Sequence, residues 1–246
     1  MKTWKKILYG GLAVLVVAAA GVAWWQWENL KAVKDALQYS PGELEEQIQA
    51  NQQVIQDAVN AVPEVTIRDV TEEEREALKD GTLTQEELID RLVSEGTSSA
   101  PTPPAAQQPS NAPVQQAPAE EPVKPDPEYQ QKLSAIIAEV YVLREQYTIQ
   151  LDAMVDQAKA EYKAMSEEDK STEKLAKWAM GYVSRARKME RQCDALMENI
   201  VTRLETLVRA NNGDLALVDT VVYTYASEKS LKKAFYMSKL EEKGLI

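Results

Sequence analysis

Hydrophobic and polar positions change their period several times along the chain, and each change marks a different kind of element. No charged residue interrupts Ile7 to Trp27. At ~1.5 Å per residue that run gives roughly 31 Å of helix, enough to cross a hydrocarbon core. Beyond it, Leu30, Val33 and Leu37 begin a helical pattern that Ser40-Pro41-Gly42-Glu43 interrupts. The pattern resumes at Leu44, Ile48, Asn51, Ile55, Ala58 and Val62, with spacings that alternate between four and three as in a heptad seam. Asn51 occupies one seam position, where a buried amide fixes register at some cost in stability. Ser40 suits an N-cap, Pro41 the first helical position and Glu43 the reciprocal capping-box partner. A helix over about 41–62 is expected, ended by Pro63. The seam predicts either packing on later helices of the same chain or self-association as a short coiled-coil stalk.

Two more capping boxes follow, Thr71 with Glu74 and Thr84 with Glu87, separated by Gly81 at a helix C′ position. They predict a helical hairpin over about 72–80 and 85–94, with Val65-Thr66-Ile67 briefly extended before it. Leu78, Leu83, Leu88 and Leu92 give this hairpin a small apolar face. The stretch Leu78-Lys79-Asp80-Gly81-Thr82-Leu83-Thr84-Gln85-Glu86-Glu87-Leu88 resembles the SHOCT family of short helical hairpins, with their Gly-x-Ile-Thr-x-Glu-Glu-Phe turn. Motifs of that family usually close a chain, and this one is internal. The resemblance covers about 25 residues and implies a small association module without catalysis.

Residues 96–127 hold nine of the eleven prolines, mixed with Ala, Gln, Ser and Thr. Such a composition builds no core and favours extended segments, so it predicts a disordered linker. At ~3.1 Å per residue its fully extended reach is roughly 100 Å.

Three long helical patterns occupy the remainder. The first, about 126–165, carries Leu133, Ile137, Val140, Tyr147, Leu151, Met154, Ala158 and Tyr162 near heptad spacing, with Arg144 in the seam and Leu143 beside it to cover the gap. The second, about 172–210, shows a stripe of Leu175, Trp178, Tyr182, Ala186, Met189, Cys193, Leu196, Ile200, Leu204 and Leu207, and stops at Asn211-Asn212-Gly213. Asp214 can cap the third, which reaches about Lys239 with Leu217, Val221, Tyr225, Leu231 and Phe235 on its buried side. Short connections make successive helices antiparallel, so an elongated three-helix bundle over 128–246 is expected to fold without help from the stalk. The predicted fold is therefore all-α. Residues 1–27 form a membrane anchor, 28–62 a helical stalk broken near 40–42, 63–95 the hairpin, 96–127 the linker and 128–246 the bundle.

Flanking residues give the anchor a direction. Lys2, Lys5 and Lys6 precede it and belong on the cytoplasmic side. Trp4 and Tyr9 mark one bilayer interface, and Trp24, Trp25 and Trp27 mark the other. Signal-peptide cleavage at Ala18-Ala19-Ala20 is the alternative, but it would leave three tryptophans near a new terminus with nothing to bury them. A single-pass protein in the cell membrane is expected, with its bulk extracytoplasmic, in a setting that suits a bacterial envelope.

Charge narrows the function. The net charge of −11 sits almost wholly in residues 28–95, and no segment has a strong basic excess, which disfavours nucleic acid. The chain has no histidine and a single cysteine, so it lacks the commonest general base and metal ligand and cannot form an internal disulfide. The acidic stretch around Thr84–Glu87 lacks the alternating Asp/Asn ligands and central glycine of a calcium loop. Cys193, on an apolar stripe, is expected to be a buried structural thiol. Ser230 and Lys233 share Ser-x-x-Lys spacing, but no strand, second motif or oxyanion glycine accompanies them. No cofactor, metal or catalytic residue is expected. The candidate surface residues are Arg185, Arg187, Lys188 and Arg191, expected on a solvated face beside Glu190 and Asp194, together with Tyr236 in the aromatic group of Tyr223, Tyr225 and Phe235. The expected function is that of a membrane-tethered, non-catalytic interaction or scaffold protein whose partner is another envelope protein. The alternative is an accessory module that binds an anionic wall polymer or a small molecule.

Overall fold

The computed structural model describes residues 35, 38–62, 65, 67–96 and 127–242. The expected anchor, the start of the stalk and nearly all of the expected linker lie outside these residues. No helix among the described residues is long and apolar enough to cross a membrane. The described chain is all-helical: α1 (Pro41–Asn60), α2 (Glu72–Asp80), α3 (Gln85–Gly96), α4 (Pro127–Ala164), α5 (Thr172–Ala210) and α6 (Ala216–Glu242), with no strand.

Local chemistry sets the boundaries. Ser40 Oγ accepts from the Glu43 amide while the Glu43 carboxylate accepts from the Ser40 amide at 2.8 Å. Thr71 and Glu74 repeat this box at α2, and Thr84 and Glu87 at α3. Gly81 ends α2 in the left-handed region at φ 79°, where a side chain would be strained. At the α5–α6 turn the left-handed residue is Asn212, at φ 52°. Gly213 is needed there for space: a Cβ would lie 2.7 Å from the Tyr129 hydroxyl and 3.1 Å from a Val208 methyl. Asp214 then accepts from the Ala216 amide at 2.9 Å to start α6.

Packing departs from a freestanding three-helix bundle. α1 lies antiparallel along α6, with Leu44 against Leu231 and Ala234. Asn51 Nδ2 donates to the Thr224 carbonyl at 2.9 Å, and Gln52 to Glu228 at 3.2 Å. The heptad seam of α1 is thus covered by α6 of the same chain. α4 and α5 form a second antiparallel pair, recorded by the Arg203–Glu139 pair, Arg185 to Gln157 at 3.1 Å and Trp178 to Glu161 at 3.0 Å. α4 and α6 run parallel, because Lys232 meets Thr148 and Tyr236 donates to Asp152 at 2.8 Å. These four helices surround one core, and the α2–α3 hairpin closes it by laying Leu83, Leu88 and Leu92 on α4. Val65 and Ile67, in the connection from α1 to α2, are buried in the same core.

The expected bundle of 128–246 carries further cover in the full chain, for a reason visible in α4. Ile136, Ile137, Ala138, Val140, Tyr141, Val142 and Leu143 are all buried, so around Glu139 the helix is apolar over most of its circumference and requires cover on more than one side. α1 and the hairpin supply that cover. The Tyr141 hydroxyl donates to Gln56 of α1 at 2.7 Å, and Gln56 donates to the Ile67 carbonyl at 2.7 Å. On α5 the buried stripe is Cys193, Met197, Ile200, Leu204 and Val208. Leu196 is turned outward instead, at 55% exposure, because it lies ~100° around the helix from Met197.

Candidate functional site

Polar side chains converge midway along the bundle, where α4, α5 and α6 meet. On α6, Tyr225, Glu228, Lys229, Lys232 and Lys233 lie on faces turned toward neighbouring helices. The Tyr225 hydroxyl donates to Asp194 at 2.6 Å and Lys229 donates to the same oxygen at 2.7 Å. Lys233 pairs with Glu190. Lys232 pairs with Glu228 at 3.2 Å and reaches Thr148. A second cluster ties the hairpin to α4: Arg75 donates to Glu145 at 2.7 Å, and Arg144 pairs with Glu145 at 3.2 Å while stacking 4.8 Å from the Tyr141 ring centroid. Arg144, expected to interrupt the apolar seam, fits because this pair and this ring occupy its guanidinium.

Between the two clusters lies a cavity of about 40 Å³, bordered by Ile55, Tyr147, Cys193, Met197, Lys229 and Lys232 among others. A buried water needs ~10–15 Å³ by this measure, so the space accommodates about three or four waters. Organic ligands occupy pockets of several hundred Å³, far larger than this one.

The chemistry of these groups follows from their partners. Cys193 is buried, and burial raises its thiol above the usual range, with the Tyr225 hydroxyl 3.5 Å away as the opposing influence. A thiol so placed holds its proton and is a poor nucleophile. Burial likewise raises Tyr225, and its hydrogen bond to Asp194 adds to the effect, so the hydroxyl stays a donor. Ser230 and Lys233 are not brought together as a catalytic pair. Lys233 is engaged by Glu190, and Ser230 Oγ is buried with no hydrogen bond among the described residues. Among the described residues no group of three or more acidic or cysteine side chains could hold a metal ion.

The expected surface residues separate into several environments. Arg185 stacks 3.9 Å from the Tyr182 ring centroid, and Arg187 is half-buried. Lys188 and Arg191 are exposed and make no ion pair among the described residues. Glu190 and Asp194, expected to partner this basic stretch, turn inward to the lysines of α6. Tyr236 is 7% exposed and bonded to Asp152, so it belongs to the core. The aromatic side chain left outside is Tyr223, 70% exposed. Sequence reasoning missed the inward lysines, although their signal was present: Tyr225, Lys229, Lys232 and Tyr236 share one side of α6 at helical spacing. Nothing local announced the Arg75–Glu145 pair, whose members stand 70 positions apart.

No family model matches the chain, and neither a curated protein nor a solved structure matches it.

Proposed function

We propose that this chain is a membrane-tethered, extracytoplasmic, non-catalytic interaction protein of a bacterial cell envelope, which presents a rigid helical body to another envelope protein. The observation that carries this reading is the state of the interior. Its buried acids and lysines are paired within the bundle, and its cavity has room for waters alone. What remains available is surface, notably Lys188 and Arg191 on α5 and the exposed Leu196 and Tyr223. The uncharged run Ile7–Trp27 supplies the tether, and the proline-rich linker lies on the same side of it as the bundle. The SHOCT-like hairpin fits an association role within the chain, since its leucines lie on α4.

The test is photocrosslinking in native membranes from positions 188, 191, 196 and 223 of the full chain, followed by identification of the products. One reproducible envelope protein is expected. No reproducible protein, combined with salt-dependent binding of an anionic wall polymer that Lys188→Glu and Arg191→Glu abolish, would replace this reading with the polymer-binding one. Both cations are exposed and make no ion pair among the described residues, which is what keeps that second reading specific.

A further inference from the structure

The near-neutral charge of the bundle as a whole hides a local imbalance on α5. Residues 174–191 carry six basic residues and one acid, Glu190. That acid and the following Asp194 turn inward to Lys229 and Lys233 of α6, so they do not neutralise the outer face. Lys177, Gly181, Ser184, Lys188, Arg191 and Ala195 succeed one another at steps alternating between four and three, and all are exposed. At ~3.6 residues per turn they line the side of α5 opposite the buried Cys193, Met197 and Ile200. Glu173 and Glu198 bound this stripe at its two ends. Its cations Lys177, Lys188 and Arg191 make no ion pair among the described residues. Gly181, Ser184 and Ala195 keep the surface between them low, and helices approach one another as closely as the side chains at their contact allow.

The α2–α3 hairpin carries the opposite imbalance. Residues 72–94 hold eight acids and three bases. Glu74 is buried against Arg68, and Arg75 turns to Glu145 of α4. The other seven acids are exposed, against Lys79 and Arg91. Of these acids, Glu73, Glu86 and Asp90 make no ion pair among the described residues. Leu83, Leu88 and Leu92 hold the hairpin on α4, which leaves these carboxylates on its outer side. The basic stripe of α5 faces away from α4, so the hairpin of one chain does not cover the stripe of the same chain.

We propose that the outward stripe of α5, around Lys188 and Arg191, docks the acidic α2–α3 hairpin of a second copy of this chain, around Glu86 and Asp90. Charge complementarity selects this occupant, because the two faces carry opposite excesses and neither meets the other within one chain. The inference deepens the reading of Lys188 and Arg191 as part of an interaction surface and rests on it. The contact is heterologous: a different patch serves on each side, so each copy keeps one free face and copies add in a row. Exposed ion pairs are individually weak and screened by salt, so the association is weak and ionic-strength dependent.

Sedimentation velocity of the full chain in a nonionic detergent provides the test, at ~20 mM and ~500 mM salt, where charges are screened beyond roughly 20 Å and 4 Å. Concentration-dependent oligomers are expected at low salt, with association at least ~tenfold weaker at high salt. Two charge reversals follow: Lys188→Glu with Arg191→Glu on α5, and Glu86→Lys with Asp90→Lys on the hairpin. All four sites are exposed, and each variant is checked for the melting temperature of the native chain. Where a reversal lowers that temperature, the glutamine substitutions at the same pair of sites replace it, and loss of association is again expected. Each reversal alone is expected to abolish the salt-sensitive association. Mixing the two reversed chains is expected to restore it, since one presents two acidic faces and the other two basic faces. Native-like association of either reversed chain alone, or no recovery on mixing, overturns the hairpin as the occupant. Oligomers indifferent to salt and to all four reversals place self-association elsewhere and overturn the proposal. A chain monomeric at both salts overturns the self-contact; photocrosslinking of positions 188 and 191 to a different envelope protein then leaves the interaction reading standing, and its absence removes both.

Discussion

The α4–α5 hairpin passes through two surroundings. Over its base α1, α6 and the α2–α3 hairpin enclose it, and its side chains there are Leu133, Ile137, Ile200 and Leu204, all buried. Over its tip most of that cover is gone, and the same two helices meet through rings, lysines and exposed carboxylates such as Glu168 and Glu173. One antiparallel pairing thus spans a true core and a surface spur. The lesson is that helix length says little about where stability resides; the number of neighbouring elements decides it.

Removing the cover gives the sharpest break. A chain beginning at residue 127 leaves Val140, Tyr141 and Val142 uncovered, and it is expected to lose cooperative unfolding and near-ultraviolet dichroism while retaining helical far-ultraviolet signal. A cooperative melt at the full-length midpoint would show that α1 and the hairpin are ornaments. Next in size is truncation within each region. Leu204→Ala should cost ~2–5 kcal/mol in denaturant unfolding, because a fully buried leucine leaves a cavity. Met180→Ala at the tip should remain within about 0.5 kcal/mol of the native chain. Similar losses at both sites would erase the distinction between base and tip.

A smaller effect is expected from Glu74, which is buried in the cover. The bidentate Arg68 hydrogen bonds hold its carboxyl at about 2, against an ordinary 4.5; burial opposes this, and the bonds to Thr71 assist it. A depressed folded pKa stabilises the protein above the unfolded value, and that contribution is lost as pH falls from about 4.5 to about 2. Comparison of native and Glu74→Gln chains across this window should show a steeper fall in the native chain, by ~1–3 kcal/mol in total. Parallel curves would assign the acid sensitivity elsewhere. Smallest is the turn at the base. Gly213→Ala should cost ~1 kcal/mol by crowding the Tyr129 hydroxyl, and Tyr129→Phe should return part of it. An unchanged melting temperature for Gly213→Ala would mean that the base turn is as loosely fitted as the tip.

Much of the helix pattern was legible in the chain because the signals are local. Ser171, Asn211 and Gly213 bracket α5, and three capping boxes announce α1, α2 and α3. What escaped depends on which faces meet. The seam of α1 predicts a partner helix but cannot name one, and its partner residue Thr224 lies 173 positions away. Leu196 and Met197 are equally apolar, so the width of the stripe left both in contention until packing chose Met197. The inward lysines of α6 escaped because a lysine is assigned to solvent by default, and it is Glu190, Asp194 and Glu228 on neighbouring turns and helices that reverse the assignment.

The antiparallel course of α1 along α6 also fixes how the molecule carries load. Tension applied outward at Ser40, with the opposite end of the bundle held, would pull α1 along its own axis. Leu44, Asn51 and Ile55 are then strained together in shear rather than peeled one after another. Reversing α1 would have placed its first turn at the far end and let the same pull unzip it, so the observed direction is the one that resists being drawn out of the bundle.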